Sequence, residues 1–79
     1  MSMEIQIKRP YRHFKGKLYY VHDLIEHTET QELIVSYQAL YEPYKMYARP
    51  LQMFIEEVEQ EREDNITHQK YRFEIYTGK

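Results

Sequence analysis

Two stretches decide the fold: KLYYVHDLIEH at residues 17–27 and LIVSYQALY at residues 33–41. Both are rich in β-branched and aromatic residues, the types that pack well on a pleated, half-buried surface. In the first, Tyr19, Val21 and Ile25 fall two or four residues apart and so share one face of a strand. In the second, Leu33, Val35, Tyr37, Ala39 and Tyr41 do the same. Between them, His27 to Glu32 is polar and short enough for a hairpin loop, although no Asn-Gly or other glycine signal fixes its type.

Working toward the N-terminus, Gly16 permits a tight reversal after the run Tyr11-Arg12-His13-Phe14, which reads as a further strand. Glu4 to Lys8 alternates polar and apolar residues before Pro10, so residues 1–9 read as an edge strand or a loosely held terminus. Toward the C-terminus, Glu42 and Pro43 interrupt the aromatic run as a turn, and Tyr44 to Ala48 resumes as a short strand with Tyr44, Met46 and Ala48 on one side. Pro50 suits the first position of a helical turn, and Leu51, Met53, Phe54, Ile55 and Val58 follow close to helical spacing, which predicts a short helix or 3₁₀ turn over 50–58. Residues 59–69 carry an acidic, stripe-free sequence that reads as solvated linker, and 70–76 alternates again as a final strand with Tyr71, Phe73 and Ile75 on one face.

This order predicts one mainly β domain over residues 1–79: a small SH3-like or Tudor-like barrel, or a bent antiparallel sheet, of five to six short strands with one helical turn. A chain of 79 residues has room for one small core only. It has no cysteine, so neither a disulfide nor a thiolate metal site supports that core. Nine tyrosines and three phenylalanines supply the bulk, and tyrosine suits a thin core whose residues reach the surface. No run approaches about 18 apolar residues, and Met1 to Glu4 lacks a basic flank leading into one, so the expectation is a cytoplasmic protein without a membrane span.

The segments Tyr11-Arg12-His13-Phe14-Lys15-Gly16, Tyr19 and Val21, His27-Thr28-Glu29-Thr30, Tyr37 with Leu40-Tyr41, and Arg49-Pro50-Leu51 with Met53-Phe54 resemble a family of short bacterial proteins known only as domain-of-unknown-function family 1653. The resemblance covers residues 10–58. The chain has Tyr47-Ala48 where a bulkier aromatic is expected before the Arg-Pro step, and a longer acidic tail. The resemblance implies a bacterial origin and a compact β domain, and it transfers no activity.

Chemistry-bearing patterns are sparse. The four histidines, His13, His22, His27 and His68, lack the close spacing of a zinc set, and His22 and His27 would point to opposite faces of one regular strand. There is no nucleophile elbow, and the only glycines, Gly16 and Gly78, form no phosphate loop. No metal or cofactor is expected. Charge is uneven: Lys8, Arg9, Arg12, Lys15 and Lys17 fall in one acid-free run, while Glu56 to Asp64 holds six acids, for a net charge of −2.

The basic run is interleaved with aromatic residues, the combination that stacks bases and meets phosphates on single-strand-binding surfaces. The expected ligand face is Tyr11, Arg12, His13, Phe14, Lys15, Tyr47 and Arg49 of a non-enzymatic interaction module, its partner a protein, a peptide or single-stranded nucleic acid. For a peptide, Tyr41, Tyr44, Tyr47 and Tyr76 would form an aromatic patch with Glu42 at the rim. The alternative is a small enzyme or enzyme subunit using Arg12, His13 and Glu29, completed in a homodimer. The discriminating observation is whether Tyr11, Arg12, His13, Phe14, Arg49 and Phe54 face inward together, as core, or outward together, as a site.

Overall fold

The two stretches that decide the fold pair as an antiparallel hairpin, β2 (Leu18–Glu26) with β3 (Leu33–Ala39). The computed structural model of the protein describes residues 5–78. Around the hairpin stand β1 (Arg9–His13), β4 (Met46–Pro50) and β5 (Phe73–Ile75), with one helical turn, α1 (Leu51–Phe54). The strands form one antiparallel sheet in the order β4-β3-β2-β1-β5. The mainly β architecture with five strands and one helical turn is as expected, in the bent-sheet form: β4 and β5 are free edges, and the sheet is not closed into a barrel.

Register, rather than composition, sets the core. Val21 faces Tyr37 and Leu24 faces Val35, so β2 carries one extra residue between them, a β-bulge at His22. The bulge resets the alternation: Leu24 packs on the core and Ile25, assigned to the inner face by strict period two, is 44% exposed. The hairpin loop does without glycine because Gln31 itself takes a left-handed conformation at φ 64°, and because His27 Nδ1 accepts from the Glu29 and Thr30 backbone N–H groups.

The covered face holds Tyr11, Val21, Val35, Tyr37, Phe54 and Phe73, all buried. Phe54 lies flat on Phe73 with ring centroids 4.1 Å apart, and Tyr11 and Tyr37 meet Phe54 edge-on at 5.6 and 5.4 Å. Each such ring pair adds about 0.5–1.5 kcal/mol beyond its buried area, which matters in a core this small. Pro50 enters α1 with φ −53° and ψ 139°, and the helix stops after a single turn, shorter than the predicted 50–58. Its continuation is drawn into extended pairing instead: Glu57 bridges Tyr71, Val58 N–H donates to the Lys70 carbonyl, and Arg72 N–H donates to that of Glu56.

Two further expectations are corrected. Of the two readings of the N-terminal residues, edge strand or loosely held terminus, the edge strand is not formed by residues 5–8, and Glu4 lies outside the described residues. Lys8 adopts φ 58°, which breaks the extended run, and the strand begins at Arg9 and passes through Pro10. Pro10 is tolerated because it sits at the last rung toward β5, where its carbonyl accepts from Tyr76 N–H and no donor of its own is needed.

Residues 59–69 are a folded loop, not a solvated linker. Its acids Glu59, Glu61 and Glu63 are exposed, but Asn65 and Gln69 are buried at 1% and 4% exposure. Asn65 Nδ2 donates to the Glu59 and Gln69 carbonyls while its Oδ1 accepts from Gln69 N–H. Gln69 Nε2 donates to the Arg12 and Tyr71 carbonyls, and its Oε1 accepts from Arg12 Nε. Every polar atom of both amides is used, the condition under which buried polar groups stabilise rather than cost. The loop also fixes the β1–β2 turn: Gly16 has φ 100°, and a Cβ there would lie 2.9 Å from Ile66 Cδ1.

Asn65→Ala strands buried donors and acceptors and is expected to destabilise the fold by about 2–4 kcal/mol, whereas Glu61→Gln stays within about 0.5 kcal/mol. Urea unfolding midpoints of the two variants measure the contrast.

Candidate functional site

The β1 residues divide between the two faces of the sheet. Tyr11 is buried at 1% exposure, its hydroxyl accepting from Gln6 N–H at 2.9 Å, and burial pushes its phenol pKa up. Phe14, just past the strand, is buried as well, with the Arg62 guanidinium 5.0 Å over its ring. Both belong to the core, so two of the seven expected ligand residues are corrected to fold residues. Phe54 is likewise buried at the core centre. Arg12 alternates to the uncovered face, where it is held by Gln69 and lies 5.9 Å over the Tyr76 ring. Lys15 is exposed and pairs with Asp64 at 3.7 Å.

His13, Tyr47 and Arg49 remain on the covered face, at its margin, where His13 and Arg49 are half-buried and Tyr47 is 39% exposed. Tyr47 sits opposite Tyr37 in the β3–β4 register and stacks on it at 5.6 Å with an interplanar angle of 29°. Arg49, two residues on, is on the same face, and its Nε donates to the Tyr37 hydroxyl at 3.1 Å. Tyr19 stands among Tyr37, Tyr41 and Tyr47, with its hydroxyl 2.6 Å from that of Tyr41. Lys17 Nζ lies 4.9 Å over the Tyr41 ring. Among the described residues, neither Arg49 nor Lys17 takes part in an ion pair.

His13 joins the margin from β1, packing edge-on to Phe73 at 4.9 Å and to Tyr19 at 6.3 Å. Its pKa is lowered to about 4, first by burial and then by the cations Arg72, Lys15 and Arg49, against the single opposing carboxylate of Asp64. It is therefore neutral at neutral pH. Its Nδ1 accepts from Lys15 N–H at 3.1 Å, which leaves the ring proton on Nε2. Tyr19 is held protonated, chiefly by burial and next by its hydrogen bond to Tyr41, so it supplies no base.

The Arg12, His13 and Glu29 constellation does not assemble within one chain. Alternation puts Arg12 and His13 on opposite faces, and Glu29 sits in the β2–β3 loop, at the far end of β2 from His13. The four-tyrosine patch also divides, because Tyr76 lies with Arg12 on the other face. No group of three or more histidine and carboxylate side chains that could hold a metal occurs among the described residues. Sequence reasoning passed over Tyr19 and Tyr37 as site residues, although period two on β2 and β3 already placed both on the face that Tyr47 shares.

The family model described as "Protein of unknown function (DUF1653)" matches residues 9–75. The chain belongs to the DUF1653 family. The match runs from the first residue of β1 to the last of β5, so the unit that defines DUF1653 includes the 59–69 loop and exceeds the 10–58 span of the sequence resemblance. The crystal structure of a DUF1653 protein from Bordetella bronchiseptica is similar to this chain at 30% identity with a TM-score of 0.73, covering 98% of this chain and 94% of that one. No curated protein matches the chain.

The depressed His13 pKa carries a sign for stability. From about pH 7.5 upward the ring is largely neutral in both folded and unfolded chains. As pH falls from there toward 4, the unfolded chain takes up a proton that the folded chain refuses, so stability declines across that window. Melting temperatures between pH 4 and 7.5 should show the decline, and His13→Gln should flatten it.

Proposed function

We propose that the chain is a non-enzymatic interaction module that binds an anionic ligand through the margin formed by Tyr19, Tyr41, Tyr47, Arg49 and Lys17. The observation that carries this reading is Arg49: a half-buried guanidinium, oriented by the Tyr37 hydroxyl, with no carboxylate paired to it among the described residues. A guanidinium pre-positioned by a neutral partner keeps its terminal N–H donors for an incoming anion. The surrounding rings are half-exposed yet braced against each other, which lowers the ordering cost of binding.

The opposite face competes poorly. Arg12 there is bound to Gln69, His22 to Gln38 at 2.8 Å, and Glu74 receives the Lys70 and Tyr71 N–H groups, so these three side chains already have partners. The cross-strand neighbour of Arg12 is Glu74, which repels anions. This favours the covered-face margin as the place where a protein, peptide or nucleic-acid partner docks.

Chemical-shift mapping with two anionic probes, poly-glutamate and a dT10 oligonucleotide, tests the placement. Shifts at Tyr19, Tyr41, Tyr47 and Arg49, weakened in Arg49→Gln, are expected with at least one probe. Shifts confined to residues 59–64, or to Tyr20, His22 and Tyr76, would place binding elsewhere and end the proposal.

A further inference from the structure

Resting on that reading, we infer that the ligand is single-stranded nucleic acid, with one base stacked on the open face of Tyr47 and the flanking phosphates held by Arg49 and Lys17. One face of the Tyr47 ring is occupied by Tyr37, while the residue remains 39% exposed, so the ring presents a platform already fixed in orientation. Tyr19 braces the same ring edge-on at 6.3 Å. Stacking on such a platform needs only a π-face, which every base has.

The cations are spaced to suit. Arg49 follows Tyr47 by two residues on β4 and therefore stands about 6–7 Å along the strand on the same side. Lys17 approaches from the β1–β2 turn and lies over Tyr41, whose hydroxyl meets that of Tyr19. A base on Tyr47 is thus flanked by Arg49 and Lys17, whereas the other cations near His13, Lys15 and Arg72, are already paired with Asp64 and Glu56. Complementarity is local, because the whole chain has a net charge of −2. Two unpaired cations match a short single strand rather than a duplex, whose binding rests on many phosphate contacts. An acidic peptide would use Arg49 and Lys17 but leave the Tyr47 platform idle.

The experiment is fluorescence anisotropy of labelled dT10 with the full chain between 50 and 200 mM salt. Two phosphate contacts predict a slope of log K against log salt of about −1.4, and Arg49→Gln should reduce it by about 0.7 while Arg49→Lys retains it. Tyr47→Phe keeps the ring and should bind within about twofold, whereas Tyr47→Leu should lose about five- to 150-fold. Far-UV circular dichroism melts of each variant establish that it is folded. Equal affinity for Tyr47→Leu, or tighter binding of poly-glutamate of matched charge, overturns the nucleic-acid assignment and leaves the anion-binding module standing if Arg49→Gln still weakens the peptide. Absence of binding by either anion overturns both.

Discussion

The flat stack of Phe54 on Phe73 joins two pieces of chain that sheet hydrogen bonding leaves apart: the single turn of α1 and the three-residue strand β5. A four-residue helix has no stability of its own, since nucleation alone costs more than one turn returns. It exists here because Pro50 sets its entry and Phe54 finds a ring to lie on. Strand β5, paired only with β1, is likewise too short to persist without the same contact. Tyr11, Tyr19 and Tyr37 pack edge-on around that pair or the rings it touches, so the covered side is an aromatic lattice with Val21, Val35, Leu24 and Ile75 packed into it.

That choice of material connects the fold with the candidate site. Phenylalanine terminates at its ring, but Tyr11, Tyr19 and Tyr37 each carry a hydroxyl that meets another polar group. Tyr37 uses its hydroxyl to orient Arg49, and Tyr19 uses its own on Tyr41. The core therefore reaches the open margin without a change of residue type, and the groups offered for binding are the outer ends of residues whose inner ends hold the sheet together.

Much of this was written in the chain. The hairpin, the Pro50 turn, the final strand and the inward set Val35, Tyr37 and Ala39 follow from period-two spacing and from proline chemistry. What spacing could not give is anything that depends on three-dimensional closure. The bulge at His22 leaves no local mark, because Asp23, Leu24 and Ile25 read equally well in either phase. Gln69 looked like a solvated loop residue because its partner Arg12 lies 57 residues away, and Asn65 because it is bonded to Gln69 and to the Glu59 carbonyl only once the loop has folded. The basic run at Lys8 to Lys17 was read as one surface, yet alternation along β1 sends Tyr11 and His13 to one side and Arg12 to the other.

The bulge at His22 also makes the two arms of the hairpin unequal in what length variation they tolerate. The loop between Glu26 and Leu33 is solvent-facing and lies outside the paired registers, so its length can drift among relatives with little penalty. Strand β2 has no such freedom. Pairing the same residues without the bulge would make a perfect ladder but set Asp23 against Val35 and carry Leu24 out to water, a regular sheet around the wrong interior. In this domain the irregularity is what lets Val21 and Leu24, three residues apart, face the same interior.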